Sequence, residues 1–102
     1  MMYKPLPESV TIKQSGISGL GLFADQAIKQ ATNLGMTHFK MEDRIFRTPL
    51  GGFINHSNTP NCEKIELHAN NEEPFKKKWN LITRQNIKKG EEITLKYTFY
   101  NV

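Results

Sequence analysis

Apolar side chains at every second position near the C-terminus constrain the fold of this 102-residue chain more than any other feature. Ile93, Leu95, Tyr97 and Phe99 would lie on one face of an extended segment, and mostly polar residues would lie on the other. A period of two is typical of a β-strand with one buried face. Shorter alternations predict further strands over residues 10–13, 64–69 and 79–84. The sequence therefore predicts a mainly β protein made of many short strands.

The connections between these strands are predicted from their polar and flexible residues. Only residues 25–32 have the Ala, Gln and Lys content typical of a helix, and Gly35 would end that helix soon afterwards. Residues 70–74 are expected to form a loop. Gly90 is expected in a tight turn, because it adopts the positive φ that other residues resist.

Composition limits the classes of protein to which the chain can belong. No apolar run approaches the ~20 residues needed to cross a bilayer, so no membrane span is expected. The first ten residues include Lys4, Glu8 and two prolines, which is unlike a signal peptide. The lone Cys62 excludes an internal disulfide. We therefore expect a soluble, intracellular protein without a signal peptide.

The charge distribution argues only weakly for an acidic partner. The chain has 14 basic and 10 acidic residues, a net charge of +4. The lysine runs at 76–78 and 88–89 lie beside glutamates and are expected mainly on solvated loop tips. An alternative is a nucleic-acid surface, in which Phe75 and Trp79 stack on bases and the first lysine run contacts phosphates. Trp79 is, however, expected in the core.

Two segments are candidates for a functional site. Residues 15–24 contain three glycines in six positions, which would let the backbone approach a ligand closely. Residues 51–62 include Asn55, His56 and Ser57 in a loop whose main-chain groups are suited to an adenine-like edge. No metal site is expected, because Cys62 has no second cysteine and no paired histidines beside it. Cys62 is interpreted as a buried apolar residue, with a nucleophilic role as the alternative.

Three segments, in this order, resemble the SET domain family of protein lysine methyltransferases, particularly its smallest viral and phage-type members. They are residues 19–24 (Gly-Leu-Gly-Leu-Phe-Ala), residues 55–57 (Asn-His-Ser) with 60–62 (Pro-Asn-Cys), and residues 90–97 (Gly-Glu-Glu-Ile-Thr-Leu-Lys-Tyr). The resemblance implies a SET-domain (β-clip) fold of several small antiparallel sheets. It also implies a C-terminal pseudoknot, in which the last strand passes beneath the loop of residues 55–62.

The resemblance further implies one minimal SET domain over residues 1–102, with a short central insert at 25–54 and no post-SET segment. Since the insert of the family usually forms one wall of the peptide groove, a short insert suggests that a second subunit completes it. Phe99, Tyr100 or a second subunit would then close the lysine channel, and a homodimer, by analogy with the smallest relatives, is the last of these alternatives.

The implied activity is transfer of a methyl group from S-adenosylmethionine to the ε-amine of a lysine in a protein substrate, without a metal. Tyr97 corresponds to the catalytic tyrosine of the family, and Leu95 lies where relatives often carry Phe or Tyr. Without a hydroxyl there, Leu95 favours multiple methylation. The expected cofactor-binding residues are Gly19, Leu20, Gly21, Asn55, His56 and Tyr97. The expected substrate lysine channel is formed by Phe53, Leu95 and Phe99.

Two alternatives to this activity stay open. The first is a SET-fold binding module that has lost transfer activity, which the short insert suggests and which Asn55 and Tyr97 argue against. The second, less favoured, is the small basic β domain that binds nucleic acid, whose affinity would fall steeply with salt.

Overall fold

The computed structural model describes residues 6–68 and 77–96, which form eight strands and one short helix. The elements are β1 (Val10–Gln14), β2 (Leu20–Ala24), β3 (Asn33–Met41), β4 (Arg44–Arg47), α1 (Pro49–Gly52), β5 (Asn55–His56), β6 (Cys62–His68), β7 (Lys77–Thr83) and β8 (Glu92–Leu95). The predicted mainly β class is therefore confirmed. The strands predicted near residues 10–13, 64–69 and 79–84 correspond to β1, β6 and β7.

The first sheet has the strand order β1-β2-β8-β5 and brings distant parts of the chain together. β1 and β2 form an antiparallel hairpin, and β2 pairs antiparallel with β8 through Leu22 and Ile93. β5 pairs parallel with β8, with Asn55 opposite Thr94 and His56 opposite Leu95. The glycine-rich segment and the Asn-His-Ser segment are consequently connected through β8, which lies between them.

The second sheet has the order β4-β3-β7-β6, and its neighbouring strands are antiparallel. Its inner face contributes Leu81, Cys62 and Leu34 to a core that also contains Leu22 and Ile93 from the first sheet. Burying an aliphatic side chain stabilises a fold by ~1.5–3 kcal/mol. The two sheets therefore share one hydrophobic core.

β8 is buried on both faces, although its alternating sequence predicts one exposed face. Ile93, Thr94 and Leu95 are all buried. On the second face the backbone amide of Asn61 donates to the Thr94 hydroxyl over 3.3 Å. At the edge of β8, the Asn61 side chain donates from Nδ2 to the Glu92 carbonyl over 2.8 Å and accepts from the Thr94 amide over 3.0 Å. These contacts hold β8 against the loop that follows β5, as the pseudoknot requires, as far as residue 96.

Residues 25–32 do not form the predicted helix. They form a turn in which Ile28 and Ile87 exchange two backbone hydrogen bonds of 2.8 Å, and Ala31 has a φ of 65°. The segment has helix-forming residues but no apolar stripe that tertiary packing would stabilise as a helix. β3, β4 and α1, which the sequence pattern did not predict, occupy the region that follows.

The lysine runs lie in different environments. Lys88 and Lys89 are exposed on the turn before β8, as predicted, and Gly90 there has a φ of 91°. Lys77 and Lys78 are instead half-buried in β7, which corrects their assignment to a loop tip. Trp79 is buried, as expected for a core residue, and so is not exposed for base stacking.

Residues 70–74, Phe75 and Lys76 lie outside the described residues. No helix within residues 6–68 and 77–96 is long and apolar enough to cross a membrane.

Candidate functional site

The glycine-rich segment forms a tight turn between β1 and β2. The Ser15 amide donates to the Gly19 carbonyl over 2.8 Å. The Ser15 hydroxyl accepts from the amides of Ile17 and Ser18 over 2.9 and 3.4 Å. Gly19 has a φ of 44°, and among residues 6–68 and 77–96 nothing beyond its chain neighbours lies within 4 Å of the position that a Cβ would occupy there. This turn therefore presents backbone to open space at Gly19, which fits the predicted close approach of a ligand.

Gly21 lies in β2 at the point where this turn meets two other segments. A Cβ at Gly21 would overlap Glu92 Oε2, and it would lie 3.0 Å from Ser15 Cβ and 3.1 Å from Asn55 Nδ2. The absence of a side chain at position 21 is what allows these three polar residues to converge. Leu20, the other residue predicted here, is 54% exposed.

Asn55 is oriented by three acceptors around its side-chain amide. Nδ2 donates to the Glu92 carboxylate over 2.8 Å, to the Ser18 carbonyl over 3.1 Å and to the Leu20 carbonyl over 3.3 Å. An amide side chain has one donor end and one acceptor end. Because the donor end is occupied, the acceptor Oδ1 is turned away from these groups, and it makes no hydrogen bond to the described residues.

Glu92 connects the three segments of the site. Its carboxylate oxygens lie 2.8 Å from the Ser15 hydroxyl, which donates to them, and Oε2 accepts from Asn55 as well. Ser15 and Glu92 are 77 positions apart in the sequence. Neither side chain was assigned a role from the sequence. The sequence signal that could have identified Glu92 as a site residue is its place in the Gly-Glu-Glu motif. No local pattern predicts its contact with the distant Ser15.

His56 is half-buried beside Asn55. Its Nε2 lies 3.2 Å from Asn58 Oδ1, and its backbone pairs with Leu95 of β8. The next amide, that of Ser57, donates to the Leu95 carbonyl over 2.8 Å. The structure thus brings the Gly19–Gly21 turn, Asn55 and His56 to one region, with β8 between them.

The residues predicted for the lysine channel are only partly described. Leu95 is 4% exposed and lines a cavity of about 240 Å³, together with Cys62, Lys64, Arg84 and Lys96. Burial lowers the pKa of Lys64 to about 8. Phe53 is half-buried directly after α1. Tyr97, the predicted catalytic residue, and Phe99 lie outside the described residues.

Cys62 is a core residue rather than a nucleophile. It is 1% exposed, and burial raises the pKa of its thiol to about 12. Residues 6–68 and 77–96 contain no group of three His, Cys, Asp or Glu side chains suited to a metal ion.

We predict that the Cys62 thiol resists alkylation in the native protein. With a pKa of about 12, about one thiol in ten thousand is ionised at pH 8. Iodoacetamide treatment at pH 8, followed by mass spectrometry, should leave the native chain unmodified and add one label after denaturation in urea. Rapid labelling of the native chain would contradict this burial.

This arrangement of strands defines a known class of fold. The structure matches a crystal structure from Plasmodium falciparum, described as that of a candidate histone methyltransferase, with a TM-score of 0.74. The match covers 88% of this chain and 97% of that chain at 20% sequence identity, so it establishes the fold.

The family is shown by a comparison of the sequence with family models. The family model of the SET domain matches residues 37–98, which are 62 of the 102 residues. The chain therefore belongs to the SET domain family, and its fold is that of a methyltransferase. None of the curated proteins matches the sequence significantly. The viral or phage-type subclass and the homodimer stay predictions.

Proposed function

We propose that the protein is an S-adenosylmethionine-dependent protein lysine N-methyltransferase. Membership of the SET family supports this proposal, and so does the likeness to a structure described as a candidate histone methyltransferase. The observation that carries it is the orientation of Asn55, whose amide nitrogen is held by Ser18, Leu20 and Glu92 and whose Oδ1 is left as an acceptor.

The described residues fit such a cofactor. Its amino-acid portion carries an ammonium group, which needs an acceptor, and Asn55 Oδ1 is one. The open space at Gly19 allows the backbone of the turn to approach that portion closely. The backbone around His56 lies beside β8, where main-chain groups would contact the adenine edge. In this proposal Gly19, Leu20, Gly21, Asn55 and His56 form the cofactor site, and Tyr97 completes it.

The reaction requires a neutral lysine. Lysine has an unperturbed pKa of ~10.4, so under about one amine in a thousand is neutral at pH 7. Apolar walls at Leu95 and Phe53 would favour the neutral amine, because desolvation penalises the ammonium form. The bound cofactor supplies the methyl group on a positively charged sulfur. By the family resemblance, the Tyr97 hydroxyl orients the amine, since a phenol with a pKa of ~10 is a poor base at neutral pH.

The number of methyl groups transferred is proposed from Leu95. This buried leucine has no hydroxyl with which to hold a water molecule beside the amine. Repeated methylation is therefore favoured over a single transfer. The substrate is a protein that presents a lysine to the channel.

Asn55→Ala is predicted to weaken cofactor binding by about tenfold, because the ammonium group loses its acceptor. Calorimetric titration of the purified wild type and the variant with S-adenosylmethionine measures this difference. Asn86→Ala is the matched control, since the exposed Asn86 side chain accepts from the Gln30 amide, outside the proposed cofactor site. Its affinity should equal that of the wild type.

The same titration separates the proposed function from its alternatives. No binding by the wild type at millimolar cofactor would contradict the proposal and favour the inactive binding module. If the cofactor binds, a search with methyl-labelled cofactor in protein extracts tests transfer to lysine. An affinity for oligonucleotides that falls steeply with salt would instead favour the nucleic-acid alternative.

A further inference from the structure

The position of Glu92 suggests a role that depends on the proposed cofactor site. Its carboxylate receives hydrogen bonds from Ser15 and Asn55, both of 2.8 Å, and it is half-buried. Of the three acceptors around Asn55 Nδ2, Glu92 is the nearest and the one that is a carboxylate. Hydrogen bonds to an ionised acceptor are roughly twice as strong as neutral ones.

We propose that Glu92 is a positioning residue that presents Asn55 Oδ1 to the ammonium group of the cofactor. An ionised carboxylate only accepts hydrogen bonds, so the amide of Asn55 cannot turn its oxygen toward Glu92 without losing a bond and meeting a negative charge. The donor end of Asn55 therefore faces Glu92, and Oδ1 faces the opposite side.

Glu92 acts on the glycine-rich turn through Ser15. The hydroxyl of Ser15 uses its proton for Glu92 and its lone pairs for the amides of Ile17 and Ser18. The carbonyl of Ser18 is in turn one of the acceptors for Asn55. Glu92 thus fixes Asn55 directly and also fixes the turn against which Asn55 is held. In this proposal Glu92 therefore contributes to binding of the amino-acid portion of the cofactor and not to binding of its adenine.

The test compares two ligands that differ in that portion. S-adenosylmethionine carries the ammonium group and a sulfonium, and 5′-methylthioadenosine keeps the adenine, the ribose and the sulfur, as an uncharged thioether, but lacks the amino acid. Glu92→Met removes the acceptor at similar side-chain length, and Glu92→Gln keeps one oxygen. Glu91→Ala is the matched control, because the Glu91 side chain accepts from the Lys88 amide in the exposed turn.

Calorimetry should show that Glu92→Met weakens S-adenosylmethionine binding by about tenfold and leaves methylthioadenosine binding within about twofold of the wild type. Glu92→Gln should restore S-adenosylmethionine binding to within about threefold, since its oxygen can accept from Ser15 and Asn55. Glu91→Ala should bind both ligands like the wild type.

Other outcomes overturn the proposal. The proposal is overturned if Glu92→Met binds S-adenosylmethionine as tightly as the wild type. It is also overturned if Glu92→Met loses affinity for both ligands equally, because an equal loss indicates a general structural role. If Glu92→Met does not fold, Ser15→Ala decides: a loss confined to S-adenosylmethionine supports the proposal, and unchanged binding overturns it. Absence of S-adenosylmethionine binding by the wild type, measured first, would identify failure of the proposed function itself and end the proposal with it.

Discussion

In the proposed cofactor site, Gly21→Ala is expected to lower the affinity for S-adenosylmethionine by about a hundredfold, equivalent to ~2.7 kcal/mol. The added Cβ overlaps Glu92 Oε2 and comes within 3.1 Å of Asn55 Nδ2. Glu92 has a flexible side chain and can move away, but only by giving up its bonds to Ser15 and Asn55. We therefore expect a larger loss of cofactor affinity than of folding stability.

Two measurements separate these effects. Calorimetric titration with S-adenosylmethionine gives the affinity, and urea unfolding gives the loss of stability, which should be about 1–3 kcal/mol for an overpacked position. Gly52→Ala is the control, because its added Cβ meets no atom of the described residues outside its own short helix and its chain neighbours within 4 Å and Gly52 has no positive φ. This control should bind cofactor like the wild type. Unchanged affinity in Gly21→Ala would contradict the convergence of the three segments on position 21.

Asn61→Ala is expected to lower the free energy of unfolding by about 2–3 kcal/mol. Asn61 is 7% exposed, and its amide bonds both the Glu92 carbonyl and the Thr94 amide. Alanine leaves these two backbone groups of β8 without their partner in a buried place, which costs more than the loss of an exposed hydrogen bond.

Urea unfolding followed by circular dichroism measures this change. The exposed Asn58 is the control in the same loop, and its replacement by alanine should change stability by less than about 0.5 kcal/mol. Equal stabilities of Asn61→Ala and Asn58→Ala would show that the contact between this loop and β8 contributes little to the fold.

The strands with regular alternation could be predicted from the sequence, and β3 could not. In β3 the register shifts between Asn33 and Gly35 and again between Met36 and His38. Each irregularity breaks the period of two, so the neighbours Thr37 and His38 are both buried. A bulged strand of this kind has no local pattern that distinguishes it from a loop.

The short helix α1 escaped prediction for a different reason. Its four residues include Pro49 and two glycines, which are poor helix formers. The helix is stabilised at its start, where the Thr48 side chain accepts from the Gly51 amide and Pro49 occupies the first turn. A threonine before a proline is an indication of a helix start that the apolar pattern alone does not include.

The candidate site was predictable as a set of motifs and not as a network of contacts. The order of the glycine turn, Asn55 and the segment ending in Tyr97 pointed to the family, and the described parts of all three segments meet in the structure. The contacts of Glu92 with Ser15 and Asn55 depend on strand pairing between distant segments. Which distant strands pair is determined by the packing of the whole fold and not by a local sequence pattern.

The pairing of β2 with β8 has a consequence for how the protein acquires its site. Before β8 docks, Asn55 has no strand beside it and the Ser15 hydroxyl has no carboxylate to bond. Contacts between residues so distant in sequence form slowly, because loop closure must precede them. In the proposed cofactor site, affinity for S-adenosylmethionine therefore requires β8 to be docked, and a folding intermediate without docked β8 is not expected to bind it.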